Sequence, residues 1–285
     1  MRVTILGASG FVGRHLAATL RARGDEVVTA SLRDPAAAAT TTAGSAAVVN
    51  LAGAPVSQRW TTAHRREIAR TRIDLPRAYL AALAHVAPRP RMYVSASAVG
   101  YYGTSRSATF TETSPPGGDF LARVCADWEA TADGAAALGL RVAKIRTGLA
   151  LGTDGGALAK LLPLFRAGLG GVVGSGAQWY SWIHVDDLIG IYLHALDSVD
   201  GVLDATAPNP VVNREFTRAL GRAVGRPTLA PVPAFAVGLL LGEGALIVTE
   251  GQRVLPERTL ATGYAFRYPE LDGALRALVH QASRA

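Results

Sequence analysis

Three short stretches carry residues whose types and spacing could do chemistry: "GASGFVG" at 7–13, "ASLRDP" at 30–35 and "SASAVGYYG" at 95–103. In the first, Gly7, Gly10 and Gly13 alternate with Ser9, Phe11 and Val12, directly after an apolar run and at the head of an amphipathic one. Glycine at this spacing frees the turn's dihedrals, lets a pyrophosphate approach bare backbone and keeps the crossing of helix and strand close. The helix start then offers free amides and a positive dipole end to phosphate oxygens. A dinucleotide is therefore the expected ligand of this turn. The second stretch bears on the ribose, because an acidic residue there favours NAD and a positive one the 2′-phosphate of NADP. Ser31 and Arg33 are placed for a phosphate, so NADP is expected ahead of NAD, while Asp34 keeps NAD open. In the third, Tyr101 and Tyr102 follow the strand that carries Ser97, at the edge where open α/β sheets bind ligands. Each could be a proton donor or a packing residue.

The elements that must position these groups alternate. "RVTIL", the glycine turn, "FVGRHLAATLRARG" and "DEVVTASL" read as strand, turn, helix and strand, a βαβ unit of a parallel sheet. "AAVVNLAG", "RMYVSASA" and "LRVAKIRTGLAL" are further buried strands, with helices over 61–86 and 118–138 between them. The pattern is doubly wound α/β. The interval from Arg33 to Val48 is short for a helix and a third strand, so the sheet edge is expected to be trimmed and the adenine side more open. "DPAAAATTTAGSAA" within it is biased enough in composition to be a mobile loop. "VDDLIGIYLHAL" reads as a helix capped by Asp186. The last third is mostly helical and is expected to cover the carboxyl ends of the sheet. Residues 1–150, completed by about 178–206, thus form a core, and 151–177 with 207–285 a substrate subdomain.

With 285 residues the chain can bury a large core, and its single cysteine excludes an internal disulfide framework. No CxxC or HxxxH spacing points to a metal site. The formal charge is +7, yet only two of the 29 basic residues are lysines, Lys144 and Lys160, and the arginine-rich run 59–77 has helical spacing. A solvated helix face, rather than a nucleic-acid contact, is expected there. The N-terminus lacks the pattern of a signal peptide, and "AFAVGLLLG" is about half the length of a membrane span, so a cytoplasmic, membrane-free protein is expected.

The set "GASGFVG", "NLAG", "SASAVGYYG", "KIRTGLALG" and "WIHVDDL" resembles the extended short-chain dehydrogenase/reductases, the group that includes the UDP-sugar epimerases. More closely, "NLAGAPVSQRW", "VGYYG", "GLGGVVGSG", "WIHVDDL" and "GQRVLPERTLATGYAFRYPEL" resemble an atypical branch called the epimerase family, or cell-division inhibitor-like. The resemblance implies a Rossmann fold, a nicotinamide cofactor touching Leu51, Ala52 and Gly53, and a small, mostly helical C-terminal subdomain for the substrate. It also implies that the helix at 118–138 should carry Tyr-x-x-x-Lys, whose lysine binds the nicotinamide ribose and whose tyrosine exchanges a proton with the substrate. Aligned on Glu129, those places hold Leu121 and Cys125, which can do neither. Cys125 inherits the cofactor-facing position; its stripe with Leu121, Trp128 and Ala132 also reads as core. Ser97 matches the serine that orients the substrate oxygen, and Arg72 stands where a helix asparagine is usual.

Two functions follow as expectations. One is an NADP-dependent oxidoreductase or epimerase acting on a small carbonyl or polar metabolite, with Ser97 polarising the substrate oxygen and Tyr101, Tyr102 or a water handling the proton. The other is a cofactor-binding sensor or scaffold whose catalytic pair has decayed and whose output is a protein partner. A homodimer through the helices at 61–86 and 118–138 is implied by the resemblance. Glu112 is expected as an exposed loop carboxylate, with a place in the same cleft as the alternative, and His184 as a structural histidine ahead of a catalytic one. Trp179, Tyr180 and Trp182 are expected either to line the pocket or to pack.

Overall fold

Apolar runs bounded by glycine or proline become strands, and runs with apolar residues three or four apart become helices. In the computed structural model, which describes residues 1–228 and 231–282, the chain opens with β1 (Arg2–Leu6), α1 (Phe11–Ala22) and β2 (Glu26–Ala30). There follow α2 (Pro35–Thr41), β3 (Ala47–Asn50), α3 (Thr62–Ala69), a π turn at Arg70–Asp74 and α4 (Leu75–Leu83). Next, β4 (Met92–Ala98) runs into a 3-10 turn at Val99–Tyr102, then β5 (Thr109–Phe110), α5 (Phe120–Asp133) and β6 (Arg141–Thr147). The chain continues through β7 (Leu149–Leu151), α6 (Gly156–Arg166), β8 (Trp179–Tyr180), β9 (Trp182–His184), α7 (Val185–Asp197) and β10 (Gly201–Ala205). It ends with β11 (Val211–Val212), α8 (Asn213–Val224), α9 (Ala234–Leu241), α10 (Leu246–Thr249), β12 (Arg253–Val254), α11 (Glu257–Ala261) and α12 (Leu271–Gln281). Parts of the region expected as substrate subdomain, 229–230 and 283–285, lie outside the described residues.

Six strands form a parallel sheet in the order β10-β6-β4-β3-β1-β2. Because the sheet is buried on both faces, alternate residues of one strand enter different cores. Val3 and Ile5 of β1, Val49 of β3 and Val94 of β4 pack on the α1/α7 side; Leu6, Val48 and Tyr93 pack with Tyr79 and Leu83 of α4 on the other. Each such aliphatic contributes about 1.5–3 kcal/mol relative to exposure. β1 has β2 on one side and β3 on the other, so the winding reverses there and a crevice opens at the carboxyl ends. Among the described residues no helix is long and apolar enough to cross a membrane.

The interval from Arg33 to Val48 holds a short helix after all before the third strand, β3, and β2 stands at the sheet edge. The segment expected as a mobile loop is instead α2. Asp34 accepts the Ala37 amide at 3.0 Å, Pro35 presets the first turn, and Ala38 and Ala39 are buried. Alanine-rich composition here means close packing on α4, sealed by a hydrogen bond between Thr42 and Tyr79.

The helix expected over 61–86 runs continuously over 62–83, with a π turn inside it. Pro76 has no N–H for the Arg72 carbonyl, and the Leu75 amide reaches back to Arg70 instead, making the π turn. Thr71 and Arg72 then face the β3–α3 loop: the Ala54 amide donates to Thr71 Oγ1 at 3.0 Å, and Arg72 Nη1 donates to the Ala54 carbonyl at 2.9 Å.

The cap of α7 also differs from expectation. His184, not Asp186, is the N-cap, its Nδ1 accepting the Asp186 amide at 3.0 Å. Burial lowers the pKa of this histidine, and its ring stacks on Tyr268 at 3.9 Å. Asp187, buried, accepts the amides of Arg267 and Tyr268 at 2.7 and 2.9 Å and the Tyr264 hydroxyl at 3.2 Å. "WIHVDDL" is therefore the anchor that fastens "TGYAFRYPEL" to the sheet.

Candidate functional site

β1 delivers the chain into the glycine turn at the crevice. Gly7 has φ +86°, a left-handed conformation, and a Cβ there would lie 2.9 Å from the Ala52 amide nitrogen. Glycine lets the turn after β1 touch the loop after β3. Gly13 is buried against the turn, and Gly10 is the N-cap of α1 with no side chain to satisfy the first amides. Those amides remain available to an anion, as a pyrophosphate site requires.

A cavity of about 1060 Å³, ample for a dinucleotide, runs from this turn along the carboxyl ends of β2, β1 and β3. Of the residues expected from sequence, Gly7, Ser9, Gly10, Ser31, Arg33, Leu51, Ala52 and Gly53 line it. Phe11, Val12 and Gly13 are not in its lining. The Phe11 ring is turned into the loop before α6, where Cβ atoms at Gly152 and Gly155 would collide with it, so Phe11 offers its backbone and not its side chain. At the β2 end the Arg33 amide donates to Ser31 Oγ, bringing the two residues together, while Asp34 Oδ1 is committed to the α2 cap. Arg14 and Arg21 of α1 also line the cavity; Arg14 is paired with Asp154 at 3.3 Å, and Arg21 adds to the charge of Arg33 at this end. Their sevenfold spacing, two helical turns, puts both on one face and is the signal in the sequence that marks them.

At the far side of the sheet lies a buried polar network. Arg146 of β6 holds Glu129 of α5 through two hydrogen bonds of 2.8 Å, with both side chains at most 5% exposed. Ser97 Oγ donates to Glu129 Oε1 at 2.6 Å. Arg146 Nη1 donates to the Tyr102 hydroxyl at 2.9 Å, which donates to Asp204 of β10 at 2.7–2.8 Å. Burial first, and the Asp204 carboxylate second, push the Tyr102 phenol far above its ordinary value. Asp204 is itself raised, by burial and then by Glu112. Glu112, far from exposed, accepts the amides of Asp204, Arg258 and Thr259. Tyr101 differs from its neighbour: its ring lies 3.5 Å from the Arg146 guanidinium carbon, and no protein group fixes its hydroxyl among the described residues.

Residues 3–207 match the NAD dependent epimerase/dehydratase family. The chain belongs to that family. Residues 232–278 match a domain of unknown function, DUF1731. Over 98% of its length the chain is 44% identical to the epimerase family protein SDR39U1 homolog, chloroplastic, of Arabidopsis thaliana, covering 87% of that protein. It is 40% identical to epimerase family protein SDR39U1 of Bos taurus, covering 98% of this chain and all of that one. The human epimerase family protein SDR39U1 (isoform2), crystallised with NADPH, superposes with a TM-score of 0.91 at 36% identity, over 98% of this chain and 99% of that chain. A UDP-glucose 4-epimerase of Thermotoga maritima, at 18% identity and a TM-score of 0.82 over 100% and 99% of the two chains, shares the fold.

Within this epimerase-family chain the structure separates the expected catalytic residues. Ser97 has one proton and gives it to Glu129, so its hydroxyl has none left for a further acceptor. Tyr102 is a strut between β6 and β10. Cys125 departs from its expected cofactor-facing role: it is 4% exposed, outside the cavity lining, and close to Gly100, where a Cβ would lie 3.9 Å from its Sγ. Burial pushes its thiol up to about 12, so it stays protonated and packs as core. Trp182 is fully buried and its Nε1 donates to the Asn209 carbonyl; Trp179 donates to Arg106. The charged partners that sequence reasoning missed, Arg146, Asp204 and Asp187, share one signal: a charge inside an apolar run must be paired when buried.

Proposed function

We propose that this protein binds NADPH along the glycine turn and Arg33, and acts as an oxidoreductase or epimerase on a small carbonyl or polar metabolite, with Tyr101 as proton donor. The observation that carries the cofactor half is the coincidence of an uncapped helix start, a dinucleotide-sized cavity and a cationic β2 end. NADPH in the human relative supports the same reading. Bound there, the cofactor would supply a hydride from nicotinamide C4. Ser31, Arg33, Arg14 and Arg21 hold the 2′-phosphate end, and the α1 amides hold the pyrophosphate.

Titration of the protein with NADPH and NADH by nicotinamide fluorescence tests this. Arg33→Ala is expected to weaken NADPH by about tenfold, the loss of one charge-assisted phosphate contact, and to leave NADH unchanged. Equal, weak binding of both cofactors by the parent would remove the NADP assignment.

Tyr101 supports the enzymatic half because its ring lies on the Arg146 guanidinium and no protein group among the described residues engages its hydroxyl. Turnover of a panel of carbonyl compounds is expected to fall about a hundredfold in Tyr101→Phe, the low end of what a positioned acid contributes. A specific observation favours a second reading, a cofactor-bound sensor acting through a protein partner: Leu121 and Cys125 leave the usual pair absent, and Ser97 is locked on Glu129. Tight NADPH binding with no turnover of any compound would decide for it.

A further inference from the structure

Arg72 is a cation without a counter-charge. Among the described residues it makes no ion pair, and its only hydrogen bonds run from Nη1 to the carbonyls of Ala54 at 2.9 Å and Ile68 at 3.4 Å. Nε and Nη2 have no protein acceptor among those bonds. The guanidinium lies 5.1 Å from the centre of the Trp128 ring, and Trp128 Nε1, itself buried, has no partner either. Two donor groups without acceptors thus adjoin one another, and groups that only donate call for a ligand that accepts.

The place is specific. The π turn sets Arg72 directly under Gly53, where a Cβ would come within 3.0 Å of the guanidinium carbon, and Gly53, Ala54 and Thr71 all line the large cavity. Glycine at 53 therefore leaves room for the guanidinium just behind the lining, Arg72 itself lying one layer outside it. This is the β3 side of the crevice, across β1 from Arg33, which follows β2. A dinucleotide with its 2′-phosphate at Arg33 and its pyrophosphate at the glycine turn brings its second ribose to this side.

We propose that Arg72 is the cation that holds the nicotinamide-side ribose, donating to its hydroxyl oxygens from beneath Gly53 and taking over a contact that α5, with Leu121 and Cys125 in place of the usual pair, cannot make. The assignment rests on the cofactor reading above. Arg72 also clamps the Ala54 carbonyl, so the test must separate charge from clamp, and glutamine serves because its amide can still donate to that carbonyl.

Three ligands are titrated calorimetrically into the parent, Arg72→Gln and Arg72→Lys: NADPH, 2′-phospho-ADP-ribose, which keeps the second ribose but lacks nicotinamide, and adenosine 2′,5′-bisphosphate, which lacks both. Arg72→Gln is expected to weaken the first two by about tenfold and the bisphosphate by less than about twofold, with Arg72→Lys recovering most of the loss. Unchanged affinities for all three, or equal losses for all three, would overturn the assignment, the second by reducing Arg72 to a clamp. Should Arg72→Gln fail to fold, Arg72→Met decides in the same way: a loss confined to the ribose-bearing ligands supports the contact, and an equal loss overturns it. A parent that binds none of the three would instead remove the cofactor reading, and this contact with it.

Discussion

Replacing Arg146 with methionine is expected to lower the unfolding free energy by about 3–5 kcal/mol at pH 7, read from urea denaturation. The guanidinium is 3% exposed and is the common partner of Glu129 and Tyr102. Its removal leaves a buried carboxylate with only the Ser97 hydroxyl and takes one donor from the Tyr102 strut. Three carboxyl groups, those of Glu129, Glu112 and Asp204, crowd this one cation. Asp204 is held well above 3.8 by burial first and by Glu112 second. The native state therefore keeps a proton that the unfolded chain releases above that pH, and this group's contribution to stability declines as pH rises. Without Arg146 the carboxyl is raised further, so the deficit of the variant should be smaller near pH 4 than at pH 7. Adding Glu129→Met should restore part of the stability, since an apolar pair avoids the stranded charge. A loss below about 1 kcal/mol would mean that the network is not what joins β4, β6 and β10 at their carboxyl ends.

Gly7→Ala is expected to weaken NADPH binding by about a hundredfold, because the turn must move and two or more amide–phosphate hydrogen bonds go with it. At φ +86° an L-residue costs roughly 1–2 kcal/mol by itself. The added methyl would also meet backbone, the Ala52 amide nitrogen at 2.9 Å, which cannot yield like the end of a side chain. Gly24 supplies the control, for it has φ +87° and a methyl added there would meet nothing within 4 Å. Gly24→Ala should lower thermal stability by the strain alone and leave NADPH affinity unchanged. If both substitutions leave the affinity intact, the glycine turn is a structural corner and the phosphates bind elsewhere.

The parts of this protein that are legible in its sequence are local. The strand, glycine turn and helix of residues 2–22 follow from dihedral freedom and periodicity within a window of about twenty residues, and the parallel sheet follows from the alternation that repeats this unit. The short interval between Arg33 and Val48 holds a helix after all, α2, before the third strand β3, and β2 stands at the sheet edge. Composition misleads in the same interval: alanine and threonine suggest looseness, whereas Asp34 and Pro35 start a helix and small side chains let it pack on α4.

What tertiary structure alone decided is which polar group is free. Tyr101 and Tyr102 are adjacent and chemically identical, but Tyr102 meets Asp204, 102 residues away, and Tyr101 does not. Asp34 reads as a ribose acceptor until its carboxylate is found capping α2. Asp186 reads as a helix cap until His184 takes that place. Arg72 reads as one charge on a solvated face until a π turn carries it beneath Gly53. Backbone conformation is set by neighbours along the chain and can be read there. Whether a hydroxyl, carboxylate or guanidinium is committed or available depends on partners brought together only by folding, and for this protein that difference separates the residues that hold the sheet from those left to meet a ligand.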